Sequence, residues 1–141
     1  MDEMVRVGTE FEVEHVFETE ASQAFARLVG DTNPMHHDEV VAAASRFGGL
    51  IVSGTETTAR MMGLTARRFS ELGPTLGLEF SFRFRRGVPM GARTIIRWVV
   101  TAIEYKEGLG HIATSAGTLT LADSGVVAVE ATSKGVLLDK A

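Results

Sequence analysis

The sequence predicts an α+β fold in which an antiparallel sheet wraps around one long central helix, and three observations predict it. An early alternating segment is followed by a run of helical patterns. The second half of the chain is instead β-branched and aromatic, in four stretches separated by turn-like residues. At 141 residues the chain has the length of one domain.

From Glu10 to Glu18, Phe11, Val13, His15 and Phe17 alternate with Glu12, Glu14, Val16 and Glu18, which is the period of a half-buried strand. Thr19 precedes a run in which Ala21, Ala24, Phe25 and Leu28 recur at helical spacing, and Gly30 follows as a C-cap. Asp38 caps a second short helix through Val40, Val41, Ala44 and Phe47, and Gly48 and Gly49 terminate it. The longest helical pattern runs from Gly54 to Ser70, with Ala59, Met62, Gly63, Ala66 and Phe69 as its apolar stripe, and predicts a buried helix.

Beyond Gly73-Pro74 four strands are predicted: Leu76 to Phe84, Arg93 to Tyr105, His111 to Ala122 and Val126 to Leu138. Their separators are Arg86-Gly87-Val88-Pro89, Glu107-Gly108 and Asp123-Ser124-Gly125. Connections so short imply an antiparallel meander, because parallel strands need crossovers of a dozen or more residues. No repeat, low-complexity tract or linker divides the chain, so residues 1–141 read as one unit with a core over about 10–138.

Composition narrows the function. With 45% hydrophobic residues an ordinary core suffices, since a chain of this size removes roughly 68–70% of its unfolded surface from water. The absence of Cys excludes disulfides and Cys-ligated zinc or iron–sulfur clusters, and four scattered His do not suggest a metal site. Fourteen Lys and Arg against eighteen Asp and Glu, a net charge of −4, argue against nucleic-acid binding through phosphate neutralisation. The acidic start MDEMVRVGTEFEVEH lacks the features of a signal peptide, and no apolar stretch approaches a membrane span. A soluble, cytoplasmic protein is the expectation.

The chemistry concentrates in Gly30-Asp31-Thr32-Asn33-Pro34-Met35-His36-His37-Asp38. Pro34 lacks an N–H and pushes Asn33 towards extended geometry, so the segment is a defined turn. On a helix Asp31 and His36, five residues apart, would diverge. Across a Pro turn their side chains can converge on one water as a general acid/base pair, with Asn33 available to orient one of them. The alternative is an Asp that caps a turn and a His on the surface. His37 is read as structural or solvent-exposed, and His15 and His111 as strand positions.

The series G-D-x-N-P-x-H-x-D, an Ala-rich short helix, R-F-G-G, and then I-V-x-G at the start of a long helix resembles the MaoC-like family, the R-specific enoyl-CoA hydratases and related dehydratases of the hotdog fold. The match is specific from Phe25 through Gly54, and element order extends it over most of the remaining chain. The resemblance implies a single hotdog domain and a cofactor-independent hydro-lyase that reversibly hydrates trans-2-enoyl thioesters, in the manner of fatty-acyl metabolism, to (3R)-hydroxyacyl thioesters. It implies that Asp31 and His36 bind the water, that Asn33 is the motif amide, and that the backbone N–H of Gly54 holds the thioester oxygen. A helix N-terminus offers such a donor on physical grounds as well, the alternative being a small residue packed where helix meets sheet. Two positions depart from the family pattern: Ser53 stands where His or Gln is common, and Met62 where some members carry a Ser.

Arg67, Arg68, Arg83, Arg85 and Arg86 form the main basic cluster, read either as a solvated face or as a landing site for the phosphates of CoA or a phosphopantetheine arm. Other readings of the whole are a dehydratase of carrier-protein-bound acyl or polyketide chains and a non-catalytic thioester-binding subunit. A hotdog thioesterase is disfavoured, because its acid comes from the central helix, where Glu56 lacks the surrounding pattern. Hotdog relatives work as dimers, and an unpaired sheet edge would otherwise be exposed, so a homodimer or higher homo-oligomer is expected.

Overall fold

A computed structural model describes residues 5–139; residues 1–4 and 140–141, the ends of the unit read as 1–141, lie outside it. One antiparallel sheet contains β1 (Glu10–Val16), β2 (Thr75–Phe84), β3 (Arg93–Lys106), β4 (Gly110–Leu121) and β5 (Val127–Leu138), in the spatial order β1-β3-β4-β5-β2. Between β1 and β2 come α1 (Thr19–Leu28), a single 3-10 turn (Pro34–His36), α2 (Glu39–Ala44) and the long α3 (Gly54–Ser70).

Strand β1 follows its predicted alternation. Phe11 is buried opposite Trp98 of β3, whereas Glu10, Glu12 and Glu14 face out. Strands β3, β4 and β5 form the predicted meander, closed by hairpins in which Gly108 and Gly125 take φ of 82° and 75°.

The meander does not extend to β2. That strand pairs with β5, from Thr75 opposite Leu137 to Phe84 opposite Val129, and not with β3. The segment 85–92, which includes the predicted turn Arg86 to Pro89, therefore crosses the end of the sheet past β5 and β4. Three strand spacings of about 4.8 Å exceed what a tight turn spans but are within reach of eight residues. On the way this segment is held by Val52 N–H to Val88 O at 2.8 Å, Met90 N–H to Leu50 O at 3.1 Å and Phe17 N–H to Ala92 O at 3.1 Å. The crossing thus docks on the chain that leads into α3.

Helix α3 is central as predicted, but it presents a different face to the sheet. Glu56, Thr57, Met61, Leu64, Thr65 and Phe69 are buried, while Met62, Gly63 and Ala66 of the predicted stripe are exposed. The sheet takes Met61, Leu64 and Phe69. Thr57 and Thr65 join them because each hydroxyl bonds a carbonyl three residues back, Gly54 O at 3.1 Å and Met62 O at 2.7 Å, which removes the cost of burying it. In α1 the buried residues are Ser22 and Ala26, and Leu28 is 82% exposed.

The core fills the space between α3 and the concave sheet face. Trp98 is fully buried, donates its indole N–H to Met61 O at 3.0 Å, and covers Gly117, where a Cβ would come within 2.6 Å of its ring. Val5 is also buried, so the core begins before residue 10. No helix among the described residues is long and apolar enough to cross a membrane.

Candidate active site

The turn after α1 gathers the chemistry. Gly30, at φ 84°, reverses the chain, and the Asp31 N–H returns to Ala26 O at 2.8 Å. Asp31 Oδ1 then accepts the Asn33 N–H at 3.2 Å, and Asn33 Oδ1 accepts the Met35 N–H at 3.1 Å, capping the 3-10 turn that Pro34 opens. These Asx links fold the segment back on itself. His36 at the end of the turn meets Asp31 at its start, with Nε2 3.2 Å from Oδ2.

His36 is 5% exposed. Its Nδ1 lies 2.7 Å from Ile51 O, an acceptor only, so Nδ1 carries a proton. Nε2 is thereby the nitrogen that faces Asp31 and the cavity. Gln23 Nε2 donates to His36 O at 3.1 Å, and His37 Nε2 donates to Asp31 O at 2.8 Å, so His37 braces the loop. The Asn33 side chain contributes through the turn it caps.

Asp31 has a further partner. Ser53, fully buried as the N-cap of α3, donates its hydroxyl to Asp31 Oδ2 at 2.5 Å. That hydroxyl holds the Asp31 carboxyl below the ordinary carboxylate range; burial opposes it, while the Asn33 N–H and the His36 and His37 rings add to the lowering. Asp31 is therefore ionised at neutral pH. A proton on His36 Nε2 makes the 3.2 Å contact a charge-assisted hydrogen bond.

At the start of α3 the Thr55 N–H goes to Ser53 Oγ at 3.2 Å and the Glu56 N–H to Ser53 O at 3.0 Å. The Gly54 N–H is left as a donor at the positive end of a 17-residue helix. Gly54 and His36 line one cavity of about 820 Å³, together with Thr57, Phe84, Val88 and Val129. A Cβ on Gly54 would stand 3.0 Å from the Phe84 ring, so the glycine admits close approach to the main chain at that point.

The arginines divide. Arg85 and Arg86 reach the mouth of this cavity, where Arg46 and Phe47 join them. Arg85 also pairs with Glu130 at 3.1 Å. Arg67 and Arg83 line other hollows, and Arg68 lies over the Phe11 ring at 5.9 Å, so these three stand apart from the site. Glu56 is buried with Oε2 3.5 Å from Arg60 Nε and is not among the cavity-lining residues.

Sequence reading did not identify Ser53 as the partner of Asp31, nor Arg46 and Phe84 as wall residues. The S-x-x-E pattern of Ser53 to Glu56 marks a helix start, but not what else the capping hydroxyl touches. Arg46 belongs to R-F-G-G, yet only the crossing segment brings it beside Arg86.

The model of the MaoC-like domain matches residues 3–122. Among solved structures, an (R)-hydratase from A. caviae involved in PHA biosynthesis is 27% identical with a TM-score of 0.84, covering 96% of this chain and 99% of its own. The protein AF1124 of Archaeoglobus fulgidus is 27% identical with a TM-score of 0.80, over 97% and 81% of the two chains. A MaoC-like dehydratase from Rhodospirillum rubrum is 26% identical with a TM-score of 0.80, over 97% and 95%. No curated protein matches the chain.

Proposed function

Because this chain belongs to the MaoC-like domain family, and its fold is a single hotdog, we propose that it hydrates trans-2-enoyl thioesters reversibly to (3R)-hydroxyacyl thioesters. The observation that carries the reading is the Asp31–His36 pair at 3.2 Å, whose His36 lines one cavity together with Gly54. An acid, a base and an oxyanion donor in one neighbourhood are what addition of water to a polarised double bond requires.

In the forward direction water bonds through oxygen to C3, and its proton passes to the Asp31 carboxylate. The C2=C3 electron pair moves towards the thioester, whose oxygen gathers charge beside the Gly54 N–H. C2 then takes the proton from His36 Nε2, and exchange of protons restores the starting pair. Asn33 acts through its N–H on Asp31 Oδ1 and through the turn it caps. Arg46, Arg85 and Arg86 at the mouth suit the phosphates of the thioester carrier.

A second copy of this chain is the partner we infer. Of the two sheet edges, β1 presents Glu10, Glu12 and Glu14, charges that discourage pairing. Edge β2 instead exposes Leu76 by 57% and Leu78 by 46%, beside the outward Met62 and Ala66 of α3 across a hollow of about 860 Å³. A two-fold pairing through β2 would cover this apolar face and satisfy the open edge.

The test is hydration of crotonyl-CoA and longer enoyl-CoAs, followed by loss of the conjugated-enone absorbance with Asp31→Asn and His36→Ala alongside. Hydration that both substitutions abolish supports the reading. Inactivity on every chain length, or activity that survives Asp31→Asn, overturns it.

A further inference from the structure

We propose that Ser53 is a positioning residue for Asp31, its hydroxyl saturating one carboxylate oxygen so that the other takes the proton of the attacking water. This rests on the hydratase reading above and adds to it a residue outside the acid/base motif.

The hydrogen bonds around Asp31 carry the inference. A carboxylate offers about four lone-pair sites. Oδ2 receives the Ser53 hydroxyl at 2.5 Å and faces His36 Nε2 at 3.2 Å, while Oδ1 receives the Asn33 N–H at 3.2 Å. Both sites of Oδ2 are then occupied, and one site of Oδ1 remains for water.

Ser53 is itself fixed from behind. Its single proton is committed to Asp31, so the 2.6 Å contact with Thr55 Oγ1 has the Thr55 hydroxyl as donor. The Thr55 N–H adds a second bond to the same oxygen at 3.2 Å. The chain Thr55 to Ser53 to Asp31 therefore runs in one direction, an arrangement in which each bond strengthens the next. It also links the first turn of α3, and with it the Gly54 N–H, to the base 22 residues earlier. The oxyanion donor and the general base are thus held in register by one buried hydroxyl.

Capping α3 is an alternative purpose for the same hydroxyl, and two substitutions separate the roles. Ser53→Gly removes the hydroxyl, yet glycine is nearly as good an N-cap as serine. Ser53→Thr keeps both the cap and a hydroxyl at the same carbon.

The experiment records kcat and kcat/KM for crotonyl-CoA hydration against pH in the wild type, Ser53→Gly and Ser53→Thr. In parallel, the titration of the Asp31 carboxyl carbon is followed by NMR and assigned by its absence in Asp31→Asn. In Ser53→Gly, kcat falls about tenfold, the size expected for one hydrogen bond to a charged group, and both the acid limb and the Asp31 titration move to higher pH. Ser53→Thr restores both. An Asp31 titration that stays in place in Ser53→Gly overturns the proposal, whatever happens to kcat or to thermal stability. A wild type inactive on all enoyl thioesters overturns the hydratase reading and this catalytic role, while the NMR titration still reports separately on the Ser53–Asp31 contact.

Discussion

His36 meets Asp31 with one ring nitrogen and a main-chain carbonyl with the other: Nε2 is 3.2 Å from Asp31 Oδ2, and Nδ1 is 2.7 Å from Ile51 O. The second contact decides the meaning of the first. Because Nδ1 must donate to Ile51, Nε2 is the nitrogen left to face the carboxylate. Replacing either member leaves the other without its partner. Asp31→Asn and His36→Ala should each lower kcat/KM for enoyl-thioester hydration by about 10²- to 10⁴-fold, the usual worth of general acid–base catalysis. Steady-state rates checked beside circular dichroism test this, and a loss below tenfold in a folded variant contradicts it.

The Gly54 N–H can be removed without breaking the helix. Ser53 has φ −59° and ψ 135°, a geometry that a following proline tolerates, and proline is favoured at the first helical position. Gly54→Pro adds ring atoms towards Phe84 and deletes the donor; Gly54→Ala adds the Cβ and keeps the donor. The proline variant should fall below the alanine variant in kcat by about 10²- to 10³-fold. Equal rates in the two exclude the oxyanion role.

Asp31 titrates below the ordinary carboxylate range in the folded protein, chiefly because of the Ser53 hydroxyl. A lowered folded value means that its stabilisation is fully present above the unfolded value of about 3.9 and is lost as pH falls through the folded one. The stability difference between wild type and Asp31→Asn, measured by urea unfolding, should therefore shrink as pH drops through that acidic window. A difference that stays constant through that acidic window would contradict the assignment.

The arginines predict a split in binding. Arg46→Ala and Arg86→Ala, at the cavity mouth, should each raise KM for a CoA thioester about fivefold, as expected for an exposed charge pair, with kcat unchanged. Arg67→Ala should change neither constant. A KM effect at Arg67 as large as at Arg86 would move the carrier site away from this mouth.

Leu78→Lys places a charge on the open edge of β2, where lysine blocks strand addition. Sedimentation should show the wild type as a dimer or larger and the variant shifted towards monomer. A wild type that sediments as a monomer at micromolar concentration removes the proposed interface.

Some elements are written locally. Strand β1 follows from its two-residue alternation, the hairpins of β3, β4 and β5 from Gly108 and Gly125, and the Asp31–His36 turn from Gly30, Asn33 and Pro34, whose backbone preferences act within a few residues. That is why the Asp31–His36 pair was legible at all: a proline turn converts a separation of five residues into a 3.2 Å contact. The face of α3 was not legible. Ala59, Met62 and Ala66 look apolar and Thr57 and Thr65 look polar, but main-chain carbonyls satisfy the threonines, and the sheet packs on the face that carries Met61 and Leu64.

The sequence by itself determined the fold class, the Asp31–His36 turn and the start of the long helix at Gly54, because each depends on short-range geometry and on residue types with few alternatives. Only the tertiary structure decided that β2 pairs with β5, that the crossing segment carries Arg85 and Arg86 to the cavity where Arg46 meets them, and that Ser53 grips Asp31 across 22 residues. These depend on which surfaces meet once the sheet closes on α3. No local preference encodes them, since the same serine would cap the helix equally well with Asp31 elsewhere.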